Sequence, residues 1–281
     1  MSGTIDLTLG HSPDPDDAFM FWALATDQFD TGEYSFEHIL QDIQTLNERA
    51  MRSELHITAI SIHSYAHLMD KYALLPTGSS MGDGYGPMLV AKKGSGLGVG
   101  ELASKKILIP GKMTTAYLAA RLLLGEFDCD VAMFDEIPAK VASGEYEAGL
   151  IIHEGQLTYD AEGLELVRDL GVWWQEDTGL PLPLGGNAIR RDLGPERMSE
   201  INRILKRSIE LGLENREAAV AHAMQYARHL DTTTADKFIG MYVNDWTLDY
   251  GDRGREAIRL LLDRGHQAGI IPAVQQLEFV A

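Results

Sequence analysis

Cysteine is almost absent from this chain, and positive charge is in short supply. The single Cys129 among 281 residues cannot close an intrachain disulfide, which excludes a disulfide-stapled scaffold. Lys and Arg number 24 against 42 Asp and Glu, for a formal net charge of -18. That balance argues against a nucleic-acid surface, which needs a basic patch. It leaves room for an anionic small molecule, because local donors in a cleft can override net charge. No apolar run is long enough to span a membrane. Met1–Leu9 carries neither a basic start nor a long apolar stretch, so no secretory signal is read there. A cytoplasmic protein with no membrane partner is expected. Internal repeats and Cys/His zinc spacings are also missing. The glycine-rich Gly78–Pro87 is followed by no Gly-Lys-Ser/Thr and opens no helix, so it fits neither a Walker loop nor a dinucleotide fingerprint. No cofactor and no metal are expected.

What is present is globular in composition, with 45% hydrophobic and 23% charged residues. A chain of 281 residues exceeds what one core usually fills, which predicts two lobes. Ile5, Leu7 and Leu9 alternate with polar residues, as in a first strand. Tyr34–Leu40, Ile57–Ser61, Met88–Ala91, Lys106–Pro110 and Val131–Phe134 read as further strands, with helical patterns between several of them. Strand–helix alternation predicts an α/β fold. Lys92–Gly100 and Gly179–Asn187 are Gly- and Pro-rich and read as two crossings between the lobes. Residues 1–91 and 186–281 are therefore expected to form one lobe, and 92–185 the other. From Gly194 the pattern is helical, with Pro195 in the first turn and Ile201, Ile204, Leu205, Ser208 and Ile209 on one face. His222, His229 and His266 in this region read as surface or packing residues. In Leu170–Thr178, one indole of Trp173-Trp174 is expected in the core and the other in the cleft.

Three places carry candidate chemistry. The first is Ala148–Tyr159, A-G-L-I-I-H-E-G-Q-L-T-Y, an apolar strand pattern that runs into His153 and Glu154. Strand ends of open α/β sheets are where ligands bind. His153 is either a cleft group or a hydrogen-bonded structural histidine. The second is the set of strand-to-helix junctions at Ser61 and at Gly111–Thr115. There hydroxyls of Ser61, Thr114 and Thr115, free amides and a helix dipole suit a carboxylate or phosphate. Plain helix capping is the alternative at each. The third is Gly10–Asp17, where two prolines enforce an extended loop and Asp16 or Asp17 is expected to cap the next helix. Three Asp beside His11 could suggest a metal, but a helix start explains them more simply.

Several segments, in order and spacing, resemble one family. They are Ser12-Pro13-Asp14-Pro15-Asp16-Asp17-Ala18-Phe19, Asp42-Ile43-Gln44-Thr45-Leu46-Asn47, Pro110-Gly111 with Thr114-Thr115-Ala116-Tyr117, Ala148–Glu154 and Thr178–Gly185. The family is 1,4-dihydroxy-6-naphthoate synthase, of the futalosine route to menaquinone. The resemblance implies a type II periplasmic-binding-protein-like fold, two α/β lobes with a cleft between them. It implies a lyase that cleaves cyclic de-hypoxanthine futalosine to 1,4-dihydroxy-6-naphthoate and dihydroxyacetone, with no cofactor. By the same resemblance His153 is the base and Ser61, Thr114 and Thr115 contact a small anionic substrate. Ser12, Asp16 and Glu154 are placed in the cleft or just behind it. One departure lies in the first loop, where members of the family carry Cys and Asn at the positions of Asp14 and Asp16. The alternatives are a non-catalytic solute-binding protein of the same fold and a chorismate dehydratase.

Overall fold

The computed structural model describes residues 4–227, 230–274 and 277–281; His229 lies outside them. Eleven strands are described: β1 Ile5–His11, β2 Tyr34–Leu40, β3 Ile57–Ser61, β4 Tyr72–Leu74, β5 Ser80–Gly82, β6 Met88–Lys92, β7 Ile107–Ile109, β8 Cys129–Val131, β9 Ala148–Ile151, β10 Leu164–Asp169 and β11 Leu182–Arg190. They form two sheets. The first runs β2-β1-β3-β11-β4, with β5 paired to β11; the second runs β10-β6-β9-β7-β8.

The alternation in β1 does what it predicts. Leu7 and Leu9 are buried while Ile5 and Thr8 keep some surface, and the strand lies parallel to both β2 and β3. The apolar run Ala148–Ile151 becomes the middle strand of the second sheet, buried at every position. A strand covered on both faces needs no alternation. Gly149 allows that cover. A Cβ there would meet methyls of Ile137 and Val141 at 2.7 Å, so the helix Ile137–Ser143 approaches the strand more closely than a side chain would permit.

Sheet membership moves both lobe boundaries expected from the sequence. β6 pairs with β9 and β10, so the second lobe already holds Met88–Lys92 and the first crossing falls between Gly82 and Met88. β11 pairs with β3, β4 and β5, so the return crossing falls between Asp169 and Leu182. The segment Lys92–Gly100 instead stays in the second lobe, running from the end of β6 through a loop to the short helix Val99–Leu102, and Glu165 accepts from the amides of Gly94 and Gly96. The two true crossings run backbone against backbone. Leu170 N–H donates to Pro87 O at 2.9 Å, and a Cβ on Gly171 would lie 1.9 Å from Tyr85 O.

The helix Leu170–Thr178 is held at its start by Asp169, whose Oδ1 accepts from the amides of Gly171 and Val172. Trp174 is fully buried and donates its indole N–H to Pro181 O at 3.1 Å. Trp173 does not face the cleft, contrary to expectation; it packs against the main apolar cluster. That cluster joins the lobes. It includes Ile60, Leu74 and Ala188 of the first with Leu89, Ile109 and Leu118 of the second. Burial of such a side chain stabilises by about 1.5–3 kcal/mol. A second cluster packs the helices Pro195–Glu214, Arg216–Ala223 and Thr232–Tyr242 onto the first sheet, through residues such as Ile201, Leu205 and Ile209.

Candidate active site

Between the lobes lies a cavity of about 140 Å³, with walls from both. The first lobe contributes the loop after β1, the end of β3, the start of β11, and Phe238 and Tyr242. The second contributes Thr114–Ala116 and Ile152.

The β1 loop is shaped by its carboxylates. Ser12 N–H donates to Asp17 Oδ2 and Ser12 Oγ to Asp14 Oδ2, each at 2.6 Å. Asp14, not Asp16 or Asp17, occupies the position before the helix Pro15–Met20, and it makes no side-chain cap there. The capping expected of Asp16 or Asp17 therefore fails: Asp17 reaches back to Ser12, and Asp16 lines the cavity. Burial, and then the charges of Asp17, Asp14 and Glu154, hold the Asp16 carboxyl well above the usual carboxylate range. Burial pushes Asp17 up to about 7 against the stabilising amide of Ser12, with Asp14 raising it further. Among the described residues no Lys, Arg or His lines the cavity. No cation in the lining therefore offsets the rise at Asp16, and the surroundings favour its protonated form.

Ser61 ends β3 and precedes the short helix Ile62–Tyr65, yet its hydroxyl does not cap it. Instead Asn47 holds it: Nδ2 donates to Ser61 Oγ at 3.0 Å, and Oδ1 accepts from Ser61 N–H at 2.8 Å and from Ser64 Oγ at 2.8 Å. Thr114 does cap the helix Thr115–Leu124. Its Oγ1 accepts from Tyr117 N–H at 3.2 Å and donates to Gly111 O at 2.8 Å. Thr115 ties the lobes together, donating to Leu184 O at 2.5 Å and accepting from His63 N–H at 3.1 Å. His63 also donates from Nδ1 to Thr114 O at 3.0 Å. Burial lowers its pKa to about 4, so its ring is neutral. The first turn of this helix, Thr115–Ala116, is at the cavity wall, where helix-start amides lack intrahelical partners.

His153 is not delivered into the cavity as its strand pattern predicted. β9 stops at Ile151, Ile152 forms the wall, and His153 is buried just behind it as the cap of the 3-10 turn Glu154–Leu157. Its Nε2 contacts Phe134 O at 3.0 Å. A carbonyl only accepts, so Nε2 carries the proton. Nδ1 accepts from Gly155 N–H at 3.0 Å. The ring is therefore a neutral imidazole with its lone pair on Nδ1, and Glu154 Oε2 lies 3.6 Å from that nitrogen.

The structure thus brings Ser12, Asp16, Ser61, Thr114 and Thr115 to one cavity and sets His153 and Glu154 behind its wall. The fold adds Asn47, Gln156 and Tyr242: the first two lie in segments singled out above but were given no role there, and Tyr242 lies in none. Asn47 carried one signal, a polar residue on the apolar face of Ile43–Met51. Behind the β1 loop, His11 Nδ1 donates to Ser12 O and His11 Nε2 lies 2.9 Å from His38 Nδ1. Burial lowers the His11 pKa to about 3 and keeps that pair neutral. Among the described residues no group of three or more His, Cys, Asp or Glu is arranged to hold a metal ion.

A family model described as menaquinone biosynthesis matches residues 7–267. The chain belongs to this menaquinone-biosynthesis family. A Thermus thermophilus protein named 1,4-dihydroxy-6-naphthoate synthase is 37% identical, over 94% of this chain and 95% of the relative. A Streptomyces coelicolor protein of the same name is 34% identical, over 95% of each. A crystal structure of an Archaeoglobus fulgidus protein superimposes with a TM-score of 0.90 at 44% identity, covering 95% of this chain and 98% of that one. The alkanesulfonate-binding protein of Xanthomonas axonopodis, at 12% identity and a TM-score of 0.70, covers 100% of this chain and 98% of its own. At that identity it shows the fold alone, that of the periplasmic binding proteins.

Proposed function

We propose that this member of the family is a lyase that converts cyclic de-hypoxanthine futalosine to 1,4-dihydroxy-6-naphthoate with release of dihydroxyacetone. The observation that carries the reading is the geometry of two groups at one cleft, a buried carboxyl in its wall and an imidazole of fixed tautomer beside it. On one wall, burial and neighbouring carboxylates favour the protonated form of Asp16, and the imidazole of His153 sits behind the other with its lone pair on Nδ1. A carboxyl whose buried site favours its proton suits a hydrogen-bond donor, and an imidazole with a lone pair beside the cleft suits a base. The relatives' shared name supports the product, 1,4-dihydroxy-6-naphthoate.

In this reading His153 Nδ1 takes a proton from a substrate hydroxyl or activated carbon, exchanging its bond to Gly155 for one to substrate. Asp16 donates a hydrogen bond to an oxygen on which charge develops. The substrate carboxylate sits at the start of the helix Thr115–Leu124, with Ser61 opposite, because amides and hydroxyls are the donors that this acidic cavity offers an anion.

Incubation of the purified protein with cyclic de-hypoxanthine futalosine, followed by detection of the naphthoate, tests the proposal. Binding without turnover would favour a solute-binding role, which the sulfonate-binding neighbour keeps in view. Turnover of chorismate instead would favour the dehydratase.

A further inference from the structure

One buried side-chain bond crosses the cleft beside the first chain crossing, where Tyr85 packs against Tyr242. Tyr242, at the end of the helix Thr232–Tyr242 in the first lobe, donates its hydroxyl to Gln156 Oε1 in the second lobe at 2.7 Å. Tyr242 is 3% exposed and Gln156 2%. Tyr242 also lines the cavity and is fixed edge-on by the rings of Phe238 and Tyr85. Gln156 sits in the one-turn segment that His153 caps. Its own amide donates to His153 O at 2.9 Å, and the residue before it, Gly155, supplies the amide that orients the His153 ring. The remaining polar atom of the Gln156 side chain, Nε2, has no hydrogen-bond partner. A buried amide nitrogen left unpaired is costly, so Gln156 packs here less favourably than an apolar side chain of its size would.

We propose that Gln156 and Tyr242 are positioning residues: their bond across the cleft sets the turn that aims His153, so the imidazole is aligned when the lobes are closed. The proposal rests on the catalytic reading of His153 given above. Neither side chain is asked to move a proton. Tyr242 stays a neutral phenol, since burial raises its pKa further. The coupling is physical: a first-lobe side chain in the cavity wall bonds a second-lobe turn two hydrogen bonds from the ring.

The test is a double-mutant cycle of Tyr242→Phe, Gln156→Met and the pair, with two readouts. The first is kcat and KM on cyclic de-hypoxanthine futalosine. Each single variant is expected to lose about tenfold in kcat with a smaller change in KM, and the double variant to be no worse than the poorer single, as for one shared bond. The second is hydrogen–deuterium exchange at the amides of Gly155 and Gln156 without substrate, expected to accelerate in every variant. Additive losses, or an unchanged kcat in a folded Tyr242→Phe protein, would overturn the proposal. So would unchanged exchange. Wild-type protein that fails to turn over this substrate would defeat the lyase reading instead, and the exchange readout would still decide whether the bridge holds the turn.

Discussion

Asn47 grips Ser61 with both atoms of its amide. Nδ2 donates to the hydroxyl and Oδ1 accepts from the backbone N–H, while the same Oδ1 takes the Ser64 hydroxyl. Asn47 is fully buried, so its amide cannot turn to bulk water. Asn47→Leu would leave the Ser61 amide and two hydroxyls without this partner. Unfolding free energy is expected to fall by about 2–4 kcal/mol, the range for a broken buried network. Urea unfolding checks this; a loss below half a kcal/mol would show that Ser61 is held by other means.

Thr115 is the corresponding tie between lobes, through Leu184 O and His63 N–H. Thr115→Val keeps the branched shape and removes the hydroxyl. Stability is expected to fall by about 1–3 kcal/mol, and substrate affinity by about tenfold or more, because the helix start that seats the carboxylate loses its register against the first lobe. Thermal unfolding and a binding titration read the two effects separately. No change in either would reduce Thr115 to a spacer.

The acidic loop gives a pH dependence with a definite sign. Asp17 ionises at about 7 when folded, against roughly 3.9 for an unperturbed aspartate. Between those values the folded protein keeps a proton that the unfolded chain has lost. Its contribution is therefore fully present below about pH 4 and is lost as pH rises through about 7. Asp17→Asn keeps an acceptor for the Ser12 amide and cannot ionise. Its melting temperature is expected to exceed that of wild type at pH 8, with the gap closing toward pH 4. A gap that grows on acidification would mean that Asp17 is stabilised as its anion.

Much of this architecture was legible locally. Alternation marks β1, a buried apolar run marks β9, and Pro195 with its apolar face marks the helix Pro195–Glu214. The lobe boundaries were not, because Met88–Lys92 is a short buried strand that reads the same in either sheet. Its place is decided by pairing with residues far along the chain, Leu89 with Leu150 and Val90 with Gly149. Ser61, Thr114 and Thr115 could be placed at the cavity because each sits at a junction between a strand and a helix. The orientation of His153 could not be placed. Period-2 reasoning carries its side chain to the strand's edge, whereas a carbonyl from Phe134, nineteen positions away in the chain, and the next turn's amide hold the ring. Gln156 and Tyr242 meet only in the folded protein, and nothing in either's neighbours announces the other.

The measurement that bears most directly on the account is turnover of cyclic de-hypoxanthine futalosine by wild type and by His153→Asn. The substitution keeps an acceptor near the Gly155 amide and removes the imidazole. General-base help is worth about 100- to 10,000-fold. The account predicts naphthoate formation by wild type, and a loss of that order in a variant whose unfolding transition and substrate affinity stay close to wild type. A folded His153→Asn protein that forms naphthoate within a few-fold of the wild-type rate would contradict it and move the search for the base to the carboxylates of the β1 loop.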